Sequence, residues 1–77
     1  MPASDAEMRE KFRSLAESRT NKALVAIRRI GNLSNPSAYK WEDAEVRKII
    51  KALRDAVSEV ETRFAKPRGR TEREFKL

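Results

Sequence analysis

Two runs of apolar residues at helical spacing, separated by a polar stretch, organise this sequence. In the first run, Met8, Phe12, Leu15, Ala16, Ala23, Ala26, Ile27 and Ile30 fall on one face. At 100° per residue they occupy a stripe about 120° wide, as in an amphipathic helix. In the second run, Val46, Ile49, Ile50, Leu53, Val57, Val60 and Phe64 recur at threes and fours, a better coiled-coil seam than the first. The pattern predicts helices over about 5–30 and 42–65, and hence an all-α, two-helix antiparallel hairpin over residues 1–66.

The predicted ends carry their own signals. Ser4-Asp5-Ala6-Glu7 is a capping-box sequence, in which serine and glutamate each satisfy a free amide. Gly31 follows the last apolar residue of the first run, the place of a left-handed C-cap. Glu42 and Asp43 put negative charge at the start of the second helix, where the helix dipole favours it. Lys66-Pro67 closes that helix, and residues 67–77 form a basic tail without sustained periodicity, expected to be mobile. Between the helices, Asn35-Pro36-Ser37 predicts a turn, since proline fixes its own φ and biases Asn35 away from helix.

Three residues depart from the first stripe. Arg19 projects into its middle, Leu24 lies on its flank, and Val25 points nearly the opposite way. Arg19 reads either as a side chain that snorkels or pairs with a carboxylate of the facing helix, or as a guanidinium positioned for an anion. Leu24 and Val25 suggest a second, protein-binding surface, to which Phe75 and Leu77 of the tail could add. Leu33, Tyr39 and Trp41 in the connection either plug the end of the hairpin or stay partly open toward a ligand.

Composition narrows the chemistry. The 77 residues allow one domain at most, near the size where a single core is only marginally sufficient. Charged and hydrophobic residues each make up 39%, and two glycines and three prolines are too few for the turns of a small β fold. Cysteine and histidine are both absent, which removes disulfides, thiolate metal sites, the commonest metal ligand and the usual general base. No phosphate loop, nucleophile motif or metal cluster is present, so no catalytic residue, metal or cofactor is expected. One enzymatic arrangement survives: Arg19 with Arg54 or Lys51 directed at a dianionic metabolite, though no acid–base pair accompanies them. No apolar run reaches the roughly 20 residues needed to cross a bilayer. The first seven residues lack the basic and apolar segments of a secretory signal, so the expected address is cytoplasmic and the Asn32-Leu33-Ser34 sequon is a chance match. Two helices bury only the strips they turn toward each other, so the hairpin is expected to dimerise into a four-helix bundle or dock on a larger partner.

Charge points to a partner. Residues 1–18 hold three basic and four acidic groups (−1), residues 19–54 nine against three (+6), and residues 55–77 six against five (+1). The positive excess surrounds the bend. Clustered Lys and Arg neutralise phosphates in a salt-dependent way, and an aromatic among them can stack on an unpaired base. A solvated charged face accounts for the same residues, and no helix-turn-helix or zinc finger supports base readout. The expected function is a non-catalytic basic module that contacts a polyanion, nucleic acid or ribonucleoprotein, by the RNA or DNA backbone. The candidate residues are Arg19, Lys22, Arg28, Arg29, Tyr39, Lys40, Trp41, Arg47, Lys48 and Lys51. The rival is an adaptor or small inhibitor meeting a protein, an acidic one for instance, through Leu24, Val25, Phe75 and Leu77.

Arg19, Asn21 and Lys22, then Ile30-Gly31-Asn32-Leu33-Ser34-Asn35, then Tyr39 and Trp41 make up a layout that resembles a group of short bacterial helical proteins. The resemblance spans about residues 12–64, brings no activity with it, and excludes the tail. Glu42 stands where the group's pattern has a Ser or Thr cap.

The second seam generates a first prediction. Leu53→Asp sets a charge in its middle and is expected to unfold the chain, read as loss of helical circular dichroism; full retention of the signal contradicts the core assignment.

Overall fold

The computed structural model describes residues 4–66. Two helices make up the architecture, α1 over Asp5–Gly31 and α2 over Asp43–Ala65, with no strand among the described residues. They fall in two separate units, divided between Lys40 and Trp41. The tail expected at 67–77, with Phe75 and Leu77, lies outside the described residues.

The start of α1 follows from four residues. The Ser4 hydroxyl accepts from the Glu7 N–H at 3.1 Å, and the Glu7 carboxylate accepts from the Ser4 N–H at 2.9 Å. Both bonds satisfy amides that a helix start leaves free. Asp5 and Glu7 face the positive end of the dipole, and Arg28 and Arg29 sit in the last turn, at the negative end.

The far end of α1 corrects an expectation. Gly31 is helical and not left-handed, and Asn32 after it has φ −66° and ψ −14°, also right-handed. The Asn32 N–H reaches the Arg28 carbonyl at 3.0 Å and that of Arg29 at 3.2 Å, and the Leu33 N–H donates to Ile30 at 3.0 Å. Ser34 then donates twice to the Gly31 carbonyl, from its N–H at 3.0 Å and its hydroxyl at 2.7 Å. The helix therefore tightens into three-residue turns whose amides and one hydroxyl take up the last carbonyls. No left-handed residue is needed to end it.

The connection makes the expected turn at Asn35. Its side-chain oxygen accepts from the Ser37 N–H at 3.0 Å, while its carbonyl accepts from Ala38 at 3.0 Å and Tyr39 at 2.9 Å. This is a single helical turn capped by asparagine, with proline at the first position where its missing N–H costs nothing. Helix α2 starts without a serine: Glu42 is its cap, and the Glu45 carboxylate reaches back to the Glu42 N–H at 2.8 Å. The Glu45 amide bonds instead to the Glu42 carbonyl at 2.9 Å. At the other end the Lys66 N–H donates to Thr62 at 3.0 Å.

No described residue is buried. Ala16, Ile30 and Leu53 are half-buried, and every other described side chain is exposed. Each of the three lies on the apolar stripe predicted for its helix.

The geometry at Gly31 yields a test of the helix end. A β-carbon there meets nothing within 4 Å. Gly31→Ala is therefore expected to stabilise α1 by about 0.5–1 kcal/mol, because alanine loses less backbone freedom on entering a helix. The measurement is the midpoint of thermal unfolding by circular dichroism; a left-handed residue at this position would give a drop of similar size.

Candidate functional site

On α1 the predicted cations do not share one face. Lys22 and Arg29 lie seven residues apart on the same side, with Arg19 one step around from Lys22. Arg28 lies about 100° from Arg29, beside Leu24. A shallow open groove runs between Asn21, Lys22, Val25, Ala26 and Arg29. Val25, expected to serve a protein partner, thus sits between two of the residues expected to serve an anion. Sorting residues by type keeps those two sites apart; the intervals of three and four from Val25 to Lys22, Asn21 and Arg29 are the signal that joins them.

Arg19 is exposed and makes no ion pair within α1. The nearest carboxylate in sequence, Glu17, lies two residues away and points to another side of the helix. Arg28 and Arg29 complement the helix dipole, and that alone is a structural reason for them. Arg19 and Lys22 lie outside the last turn, where the dipole effect has faded.

In the connection, Leu33, Tyr39 and Trp41 are 49%, 49% and 41% exposed, so none of them is a buried plug. Tyr39 is tied by its backbone to Asn35, and Lys40 follows it, exposed. A fixed backbone carrying an open aromatic ring next to a cation suits stacking on a base or packing on a partner.

On α2, Lys48 and Lys51 lie on the face away from the apolar seam, and Arg47 stands at its flank. Arg54, three residues past Lys51, extends this basic surface and belongs with it, although it is not among the expected contact residues. Lys51 alone of these is engaged: its Nζ donates to Asp55 Oδ2 at 2.7 Å, in a pair whose side chains are 77% and 66% exposed. So exposed a pair is worth little, and its carboxylate offsets the charge Lys51 could offer a ligand.

Among the described residues no group of three acidic, histidine or cysteine side chains could hold a metal. Among them too, no helix is long and apolar enough to cross a membrane.

The exposure of Trp41 is open to direct measurement, since it is the one tryptophan of the chain. Acrylamide is expected to quench its fluorescence readily, well beyond what a buried indole allows. Strong protection in the free protein would restore the buried-plug reading.

Comparisons with known protein families, with curated proteins and with solved structures find no match.

Proposed function

We propose that this chain is a non-catalytic binding module that contacts a polyanion, the backbone of RNA or DNA, through the basic segment around its bend. One observation carries the reading. From Ser18 to Trp41 there is no acidic residue, while Arg19, Lys22, Arg28, Arg29 and Lys40 fall within that span, all of them exposed. A solvated face built for solubility alone usually mixes the two signs. Unbroken positive charge beside the exposed Tyr39 instead favours phosphates with a base stacked nearby. Recognition of this kind is by charge and stacking, so it follows the backbone and not a base sequence.

A second reading has its own observation. Leu24 and Val25 are 41% and 44% exposed on sides of α1 away from its apolar stripe, which suits an adaptor or small regulator of another protein. Co-purification separates the two: nucleic acid arrives with strong absorbance at 260 nm, whereas an adaptor brings a protein.

The finer architecture belongs to the same proposal. The two helices fold back as an antiparallel hairpin, and two copies associate into a four-helix bundle. The support is the exposed apolar stripe of each helix, which needs a cover, and the commonness of twofold self-association.

The test is binding of labelled single-stranded RNA and duplex DNA across a salt series. Affinity should fall steeply with salt. Neutralising Arg28, Arg29 or Lys48 to Gln should flatten the logarithmic slope by roughly 0.7–0.9 for each phosphate that is no longer neutralised. Lys51→Gln should change it less, because Asp55 already shares that charge. Binding indifferent to salt and to these substitutions overturns the proposal.

A further inference from the structure

The strip along α2 is a regular heptad seam. Val46, Leu53 and Val60 stand seven apart, as do Ile50, Val57 and Phe64, and the two sets alternate at four and three. They take the d and a positions of a coiled coil, six layers with no polar interruption. Nothing in α2 is buried, and Val57 and Val60 are 63% and 52% exposed.

Reversed on itself, this seam matches layer for layer. Val46 meets Phe64, Ile50 meets Val60, and Leu53 meets Val57, so each a residue faces a d residue. The same reversal sets Arg47 of one helix against Glu61 of the other, at both ends of the contact. Neither makes an ion pair within α2, and Glu61 has no basic residue three or four positions away on either side. Ala56 then faces Ala56 near the dyad, where small side chains let the helices close. Arg54 faces Arg54 there, at the rim, where long side chains can turn apart into water.

Other pairings are poorer. In a parallel pair, Ile49 and Ala56 face Arg54 and Glu61, opposite charges meet only between the cap residue Glu42 and Arg47, and Asp43 meets Asp43 in the first a layer. Helix α1 is not self-complementary. Its strip runs Met8, Phe12, Leu15, Arg19, Ala23, Ala26, Ile30, two eleven-residue repeats with Arg19 at their midpoint. Reversing α1 on itself therefore puts Arg19 against Arg19 in the centre of an apolar contact, an arrangement that desolvates like charges.

We infer that α2 is a self-recognition surface: it pairs antiparallel with α2 of a second copy of this chain, and the Arg47–Glu61 ion pairs set its direction. This rests on the self-association proposed above and is independent of the polyanion reading.

The experiment uses the full chain, with mass in solution measured by sedimentation over a concentration series. Arg47→Glu and Glu61→Arg, each alone, place like charges at both ends of the contact and should raise the dimer dissociation constant by about tenfold. The double exchange R47E with E61R should restore it. Helical circular dichroism of each variant separates weakened pairing from unfolding. The chain has no native cysteine, so Ala44→Cys and Ser58→Cys each accept one spin label. Antiparallel pairing about position 55 offsets the two labels axially by about 33 Å at position 44 and about 9 Å at position 58, whereas parallel pairing gives equal separations. A dimer with equal separations, or one that ignores the charge exchanges, overturns the α2 pairing and leaves self-association standing. A monomer at every concentration overturns both.

Discussion

A helix of two dozen residues in water depends on whatever covers its apolar stripe, because intrinsic propensity alone leaves isolated helices marginal. That constraint governs this chain. Both helices have well-made starts, yet no described residue is buried, and all but Ala16, Ile30 and Leu53 are exposed. Capping bonds at Ser4 and Glu42 set where the helices begin; they contribute on the order of 1 kcal/mol each and cannot replace a covered face. The apolar stripes therefore call for contact beyond a single helix.

The two helices meet that demand differently. On α2 the divisions are clean: the heptad seam occupies one side, and Lys48 and Lys51 project from the other. On α1 they are mixed. Arg19 interrupts the stripe, the alanines at 23 and 26 thin it, and Val25 shares a groove with Lys22 and Arg29, which lie at the edge of the stripe. A seam of heptads winds left-handed, whereas an eleven-residue repeat winds slightly the other way. The repeat of α2 therefore has the period of another heptad strand, which is what the proposed self-pairing would use.

The parts of this fold set by local chemistry are legible in the residues. Ser4 and Glu7 announce a helix start whatever follows, and Asn35-Pro36 announces a turn, because in each case the bonding groups lie within three residues of one another. Gly31 misleads because its type suggests a left-handed residue, while Ser34 decides the outcome, its amide and hydroxyl both taking the Gly31 carbonyl. Residue type states what a position permits; its neighbours decide what it does. The candidate site is harder to read for the same reason. Adding up charge over residues 19–54 finds the basic region but cannot distinguish Lys51, held by Asp55, from Lys48, or see that Val25 lies inside the cationic groove.

Self-pairing and polyanion contact would reinforce each other through this placement of charge. Exposed Lys and Arg groups meeting phosphates give only weak, salt-sensitive attachment from one protomer. Pairing along the α2 seam leaves Lys48 and Lys51 on the outer surface, because they lie opposite the residues that would be covered. A dimer would then present two such faces to one nucleic-acid strand, and the second contact would form at an effective concentration set by the dimer itself. Self-repulsion opposes this, since each chain carries +6. It is least harmful where the seam is apolar and opposite charges would meet at its ends, as at Arg47 and Glu61. Added salt would loosen the polyanion, whereas at the dimer it would screen both the repulsion between protomers and the Arg47–Glu61 attraction, so the apolar seam would make self-pairing the less salt-sensitive of the two associations.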